Sequence, residues 1–485
     1  MPNIVFILSD DQGAWAMHCA GTPELYTPNL DRLAREGVRF SDFYCASPVC
    51  SPARASILTG RMPSAHGVHD WLRSGNVDSK KYAQAGGENP YGGYADETEP
   101  IAYLDGMPAY TDMLRQAGYT CALSGKWHLG DSVRPQHGFD SWYTIGKGGC
   151  FYYHPDIVEN GEITVRHGEY VTDLITDRAC EDIDRLSQGD RPFYLSVHYT
   201  APHSPWESEQ HPKKWIDYYD KCTFDSIPDI PDDPDMTFGP VYGTSKRHEN
   251  LRGYFSAISA MDEGIGRILD ALEKHGILDD TLIIFTADNG MSMGHHGIWG
   301  KGNGTFPCNM FDTAVKVPFL LRYPALVSEP GTVIDAMVSA CDIYPTLADF
   351  VGGECPEGLC GTSFLPALRG EKGREHIVIV DEYGPVRMLR TREWKYVHRY
   401  PYGPHCLFDL VNDPGEEHNV VDDPANAARV VEMRRELEQF FLSYGDPALD
   451  GSSEGVTGSG QLCRSGVFAT RTDVYAPVPV TRKEL

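Results

Sequence analysis

Residues Asn3–Ser9 read Asn-Ile-Val-Phe-Ile-Leu-Ser, a continuous apolar run without polar alternation. A strand with one wet face alternates, so a run of this kind predicts a strand buried on both faces. Similar runs recur at Tyr119–Ser124, Phe193–Tyr199 and Thr281–Thr286. Helical patterns separate them, at Tyr110–Ala117, Tyr170–Leu186 and Leu251–His275, the last closed by Gly276. Apolar strands alternating with amphipathic helices predict a parallel sheet wrapped on both sides. All four runs end abruptly in polar residues: Asp10-Asp11, Lys126-Trp127-His128, His203 and Asp288-Asn289. Sheets of this class place their sites outside the carboxyl ends of strands.

The remaining elements extend that frame. Thr27-Pro28 opens a helix that reaches Glu36 and stops at Gly37, and Val38–Phe40 reads as a short strand. Val317–Tyr323 and a helix over Asp342–Phe350 finish the large unit. Beyond Gly370-Glu371-Lys372-Gly373, short alternating runs at 377–381, 388–391, 394–398 and 407–410 predict a small antiparallel sheet, covered by a helix over Asn426–Tyr444. The expected fold is therefore α/β: a large doubly wound mixed or parallel sheet with a smaller C-terminal antiparallel α+β subdomain. The boundaries expected are 1–372, 373–449 and a 450–485 tail that wanders or docks on a neighbour. Residues 74–100 read as a long loop, and the Pro- and Asp-rich stretch 223–250 as an exposed excursion.

Charge narrows the function. A net charge of −27 repels nucleic acid and anionic membranes, so an anionic substrate must be drawn by a local basic pocket. No apolar run approaches the ~18 residues of a spanning helix. The first residues show neither a basic region nor a small-residue cleavage site, which gives a cytoplasmic expectation. Thirteen cysteines, an odd number without CxxC spacing, fit reduced thiols.

The stretch Cys50-Ser51-Pro52-Ala53-Arg54 to Leu58-Thr59-Gly60-Arg61 reads as a short helix, with Pro52 in its first turn and Gly60 at its stop. Cys50 then sits at the positive N-terminal end, where an anion is favoured and a thiol pKa is lowered. Arg54 adds a cation on the first turn. Cys50 is a nucleophile candidate on these grounds, or else a buried small residue. Asp10-Asp11 can be a cap, a solvated turn or two oxygen ligands. With Asp288 and Asn289 they make an all-oxygen set that suits calcium or magnesium.

The wording Cys-x-Pro-x-Arg followed by Leu-Thr-Gly-Arg resembles the signature of the type I sulfatases of the alkaline phosphatase superfamily, with Ala53 where Ser is usual. The resemblance spans most of residues 1–420, including Leu407-Phe408-Asp409-Leu410 and Asp413-Pro414-Gly415-Glu416. It implies a sulfuric ester hydrolase in which a separate maturation enzyme oxidises Cys50 to formylglycine. It implies a divalent ion, usually calcium with magnesium possible, on Asp10, Asp11, Asp288, Asn289 and residue 50. Lys126 and His128 match a Gly-Lys-Trp-His stretch, His203 a Pro-His segment, and Lys301 the end of a Gly-rich loop. The implied roles are sulfate binding for Lys126 and Lys301, protonation of the leaving oxygen by His203 or Lys301, and removal of a hydroxyl proton by His128. His295 stands before His296 where many relatives have Asp, so no carboxylate role is expected there.

The expected substrate is a small sulfated saccharide. Polar and aromatic residues beside the nucleophile suit a sugar and a second anion: His66, His69, Asp70, Trp71 and Arg73, then Tyr152, Tyr153 and His154, then Trp206, with His295 and His296. Each of these serves equally well as loop packing. Self-association of the chain is compatible with this reading. The alternatives are a phosphonate monoester or phosphodiester hydrolase of the same superfamily, and a non-catalytic binder of sulfated glycans.

Overall fold

The computed structural model describes residues 1–86, 97–237 and 243–477. Its main sheet has ten strands: β1 Asn3–Ser9, β2 Val38–Phe40, β3 Thr120–Gly125, β4 Phe139–Ile145, β5 Asp156–Glu159, β6 Glu162–Val165, β7 Phe193–His198, β8 Thr281–Ala287, β9 Phe319–Arg322 and β10 Thr332–Ile334. Their spatial order is β10-β2-β9-β8-β1-β7-β3-β4-β5-β6. The five central strands from β8 to β4 are parallel. β9 runs antiparallel to β8 and β2, and β5 and β6 add an antiparallel edge, so the sheet is mixed.

β1 explains why its sequence does not alternate. Ile4, Phe6 and Leu8 enter one core while Val5 and Ile7 enter the other. The first core is closed by α3 (Tyr110–Gln116) and α6 (Ile343–Val351). The second is closed by α1 (Pro28–Glu36), α4 (Val171–Leu186) and α5 (Arg247–Lys274). Each of these side chains contributes about 1.5–3 kcal/mol by leaving water, so both faces demand apolar residues. α2 (Cys50–Thr59) lies under the first core and ends at Gly60, whose φ of 67° is the left-handed stop expected.

The small sheet orders β11 (Ile377–Asp381), β12 (Val386–Arg390), β13 (Trp394–Arg399) and β14 (Cys406–Asp409) consecutively and antiparallel. α7 (Ala427–Tyr444) covers it through Met433, Leu437 and Phe441. Lys395 locks this sheet to the large unit: its buried Nζ donates to Met310 O at 2.9 Å and pairs with Asp312 at 2.6 Å.

Three segments differ from the sequence expectation. Within 74–100, Ser79–Gln84 is a helix capped by Asp78; residues 87–96 lie outside the described residues. The stretch 223–250 is not simply exposed. Phe224 and Ile227 are buried in the second core, and Asp233 N and Thr237 N donate to Gly297 O and Gly304 O, so the segment lies over the Gly-rich loop; 238–242 lie outside the described residues. The tail from Asp450 docks on its own chain over its described part, which ends at 477; residues 478–485 lie outside the described residues. It returns to residues 67–73 of its own chain. The thirteen cysteines are all free, and among the described residues no helix is long and apolar enough to cross a membrane.

Candidate active site

The ends of β1, β3, β7 and β8 and the start of α2 converge at one buried point. Consecutive residues of a strand point to opposite faces, yet Asp10 and Asp11 serve the same cluster. The chain turns at Asp11, whose φ is 60°. Two contacts hold this uncommon conformation: Asp11 N donates to Asp288 Oδ1 at 3.2 Å, and Asp11 O accepts from Tyr254 OH at 2.9 Å. A non-glycine residue there costs about 1–3 kcal/mol and persists where its surroundings fix it. His128, with φ 54°, is the second such residue in the site.

Three carboxylates meet three cations. Lys126 Nζ lies 2.5 Å from Asp10 Oδ2, and Lys301 Nζ 2.5 Å from Asp11 Oδ1. Arg54 Nε lies 2.8 Å from Asp288 Oδ2, and its Nη1 donates to Lys126 O at 3.1 Å. Burial opposes charge on Asp10 and Asp11, but the facing cations prevail and hold both below the usual carboxylate range. Burial likewise opposes Lys301, yet Asp11, Cys50 and Asp10 raise it well above an ordinary lysine.

Cys50 Sγ lies 2.8 Å from Lys301 Nζ and 3.8 Å from Asp11 Oδ1. Its thiol corrects an expectation: the pKa is pushed up to about 12, not lowered. Burial is the largest cause, and Asp10 and Asp11 reinforce it against Lys126 and Lys301. The helix N-terminus does not decide the matter in a site this dry. Cys50 as an unmodified thiol is therefore a poor thiolate nucleophile.

The residues fit a hard divalent cation. Among the described residues, Asp10 Oδ1 and Asn289 Oδ1 are buried and lack a hydrogen-bond partner, which is costly unless something else completes them. Asp10, Asp11, Cys50 and His203 each offer an atom within 4.8 Å of the others. Asp288 is engaged by Arg54 and by the backbone N–H groups of Asp11 and Asn289, and Asn289 Nδ2 donates to Asp11 Oδ1 at 2.8 Å. His203, read from sequence as an acid, thus stands with the acidic cluster, its Nε2 3.5 Å from Asp11 Oδ2.

His128 has one committed nitrogen. Its Nε2 lies 3.3 Å from Leu72 O, an acceptor, which assigns the proton to Nε2. Nδ1 is buried without a hydrogen-bond partner among the described residues. Burial first, then Lys126 and Arg54, push its pKa well below that of a free histidine, so the ring is neutral and Nδ1 can accept a proton.

The residues expected to meet a saccharide are not gathered in one place. His69, Asp70, Trp71 and Arg73 lie together beneath the tail. His69 uses both ring nitrogens, on Tyr475 OH and Leu449 O at 2.7 Å each. Trp71 Nε1 donates to Gly458 O and Arg73 Nη1 to Ser459 O. His66 is buried on Ser56 Oγ. His154 lies beside His167, 3.3 Å between Nδ1 atoms. Trp206 is buried on edge against Tyr254, its Nε1 donating to Pro202 O. His295 packs on Trp15 and His296 on Phe311.

Several supporting roles are not read from the sequence, where Tyr152 is singled out only as a saccharide contact. Tyr254 on α5 reads as core, yet it holds Asp11 O. Tyr152 OH donates to His203 O at 2.7 Å and fixes that loop. His198 Nδ1 lies 3.1 Å from Lys126 O, the carbonyl Arg54 also uses. Nothing in the local sequence links Ser51, Leu72 and Gln461, which the fold joins.

Residues 2–353 match the protein family described as "Sulfatase", and residues 294–442 match "N-sulphoglucosamine sulphohydrolase, C-terminal". The chain is 27% identical to an N-acetylglucosamine-6-O-sulfatase of Bacteroides thetaiotaomicron, over 92% of this chain and 87% of that one. It is 29% identical to a choline-sulfatase of Rhizobium meliloti, over 87% of this chain and 83% of that one. A solved structure described as a complex with its substrate D-glucosamine-2-N,6-O-disulfate superimposes with a TM-score of 0.74 at 25% identity, covering 93% of this chain and 100% of the other.

Proposed function

Because the chain belongs to the sulfatase family and is a sulfuric ester hydrolase, we propose that its substrate is a carbohydrate sulfate ester, that Cys50 is matured to formylglycine, and that the resident metal is calcium or magnesium. The observation that carries this reading is the convergence of Lys301 on both Cys50 Sγ and Asp11 in a cluster that also holds Asp10 and His203.

The formylglycine hydrate would supply an oxygen nucleophile where the thiol is disfavoured, and the cation would supply charge to the sulfuryl oxygens. Asp10, Asp11, Asp288 and Asn289 would hold the cation. Three fixed cations face three carboxylates, of which Asp288 is pushed up to about 7 by burial and by Asp10, so a divalent ion leaves the pocket net positive. That local sign draws an anionic ester into a protein whose overall charge is −27. Lys126 and Lys301 orient the sulfuryl oxygens, and being already in place they need no reorganisation as charge develops. His203 or Lys301 delivers a proton to the leaving oxygen. His128 Nδ1 accepts the proton whose loss releases sulfate.

The saccharide assignment is supported by the names of the relatives: an N-acetylglucosamine-6-O-sulfatase and a structure holding a disulfated glucosamine. The phosphonate and phosphodiester reading is less favoured, since both matched families are sulfatases or sulphohydrolases and the solved phosphonate monoester hydrolases that share the fold do so at 21% identity. A cytoplasmic location is part of the proposal; thirteen free cysteines support it, and cell fractionation tests it. The substrate is tested with a panel of sulfated monosaccharides and glycosaminoglycan disaccharides against choline sulfate and an aryl sulfate. Efficient turnover of a saccharide is expected. Efficient turnover of the simple esters alone overturns the sugar assignment.

A further inference from the structure

Leu72 links the tail to the active site. Leu72 O accepts from His128 Nε2, and Leu72 N donates to Ser51 Oγ at 3.1 Å, beside Cys50. Leu72 therefore orients the proposed base and steadies the residue next to the nucleophile. Its own position is fixed from the other side by Gln461, with which it forms an isolated β-bridge. Gln461 N donates to Trp71 O at 2.8 Å, and Arg73 N donates to Gln461 O at 3.0 Å.

The Gln461 side chain makes this bridge hard to displace. Its Oε1 accepts from His69 N at 2.9 Å and its Nε2 donates to Gly67 O at 3.1 Å, all in a position with no solvent exposure. Gly460 permits the close approach. Its φ is 110°, and a Cβ there would stand 2.5 Å from Arg73 Cβ. Neither matched family reaches this segment, since the matches end at 442.

We propose that Gly458–Ser465 is a positioning strap for the active site, in which Gln461 acts through Leu72 on the orientation and protonation of His128. The proposal rests on the sulfatase reading of the site. A loop that slips at Leu72 frees His128 Nε2, so the ring can turn or change tautomer and lose its basic Nδ1. A displacement of about 1 Å at a catalytic group is enough to cost up to about a hundredfold in rate.

The test is a double-mutant cycle in the full chain, with Gln461→Ala and His128→Ala singly and together, on an activated aryl sulfate for which residual turnover is measurable. Gln461→Ala is expected to lower kcat by about tenfold or more with little change in KM and a melting temperature near that of the parent. In the His128→Ala background the same change is expected to alter kcat less than twofold. A purely structural role gives the same loss in both backgrounds, and that result, or an unchanged kcat in Gln461→Ala, overturns the proposal. Phe468→Ala, an exposed residue of the same tail, is the control and keeps full kcat. If Gln461→Ala does not fold, Trp71→Phe, which loses the bond to Gly458 O, is read through the same cycle, and additivity there overturns the proposal equally. An inactive parent enzyme would instead fail the sulfatase reading and leaves the two failures distinguishable.

Discussion

Arg54 Nε and Asp288 Oδ2 meet at 2.8 Å across 234 residues, with both side chains essentially out of water. The pair ties α2 to the end of β8 and so holds the nucleophile against the acidic cluster. Removing one partner strands the other charge in a dry site, which costs about 3–5 kcal/mol. Arg54→Ala is therefore expected to lose about that much in urea unfolding along with all measurable turnover. Arg54→Lys keeps the charge but cannot hold Asp288 and Lys126 O together as Nε and Nη1 do, and is expected to recover stability more than activity. A loss under 1 kcal/mol in Arg54→Ala would contradict this account.

Cys50→Ala is expected to abolish turnover while leaving the melting temperature close to that of the parent. The side chain is small, and its replacement removes no charge at neutral pH because the thiol is protonated. In active parent protein, mass spectrometry of the peptide bearing residue 50 is expected to show a loss of about 18 Da relative to cysteine. Full activity with an unmodified Cys50 peptide would exclude the aldehyde.

Chelation is expected to lower activity by at least about a hundredfold, with recovery on adding calcium or magnesium. Elemental analysis of the purified protein reports which ion is resident. Asp10→Asn keeps the shape but removes a carboxylate whose Oδ1 accepts no hydrogen bond among the described residues, and should lose metal and activity together. Activity that survives chelation, with zinc as the sole bound ion, would refute the oxygen-ligand assignment.

Acid should unfold the protein earlier than its carboxylates alone require. Burial pushes His69 down to about 4 and His211 to about 3. Both are neutral in the fold and titrate near 6.5 when unfolded, so the unfolded chain binds the extra protons. Their contribution is complete above about pH 6.5 and is lost as pH falls toward the folded values. At pH 5 each costs roughly 2 kcal/mol. Urea midpoints are expected to rise from pH 4.5 to pH 7. His211→Gln, which removes a group held by Pro205 O and Tyr170 OH, should flatten that slope. An equal slope in the variant would show that His211 is already neutral in the unfolded chain or charged in the fold.

The sheet was legible because burial on both faces leaves a mark in sequence: β1, β7 and β8 lie where their apolar runs do. The cluster was legible because its members sit at strand ends, where Asp10, Lys126, His203 and Asp288 interrupt those runs. What escaped was whatever depends on distant pairing. Tyr254 looks like any core aromatic of α5 until Asp11 O is found against its hydroxyl. Gln461 lies 389 residues from Leu72, in a Gly- and Ser-rich stretch whose composition predicts mobility. The thiol of Cys50 was misjudged for a related reason: a helix end is local, whereas the dryness that raises the pKa comes from the whole fold.

β1 pairs on one edge with Tyr194–His198 and on the other with Thr281–Ala287. At roughly 5–20 residues per second, Thr281 leaves the ribosome about 14–56 s after Asn3. For that interval this apolar strand has at least one open ladder, on the edge that Thr281–Ala287 will cover. Such a segment is a template for intermolecular pairing, so recombinant yield should depend on the rate of synthesis and on chaperone supply more than on the stability of the finished enzyme. Slower folding of this long-range centre, not weakness of the native state, then sets how much active protein a cell obtains.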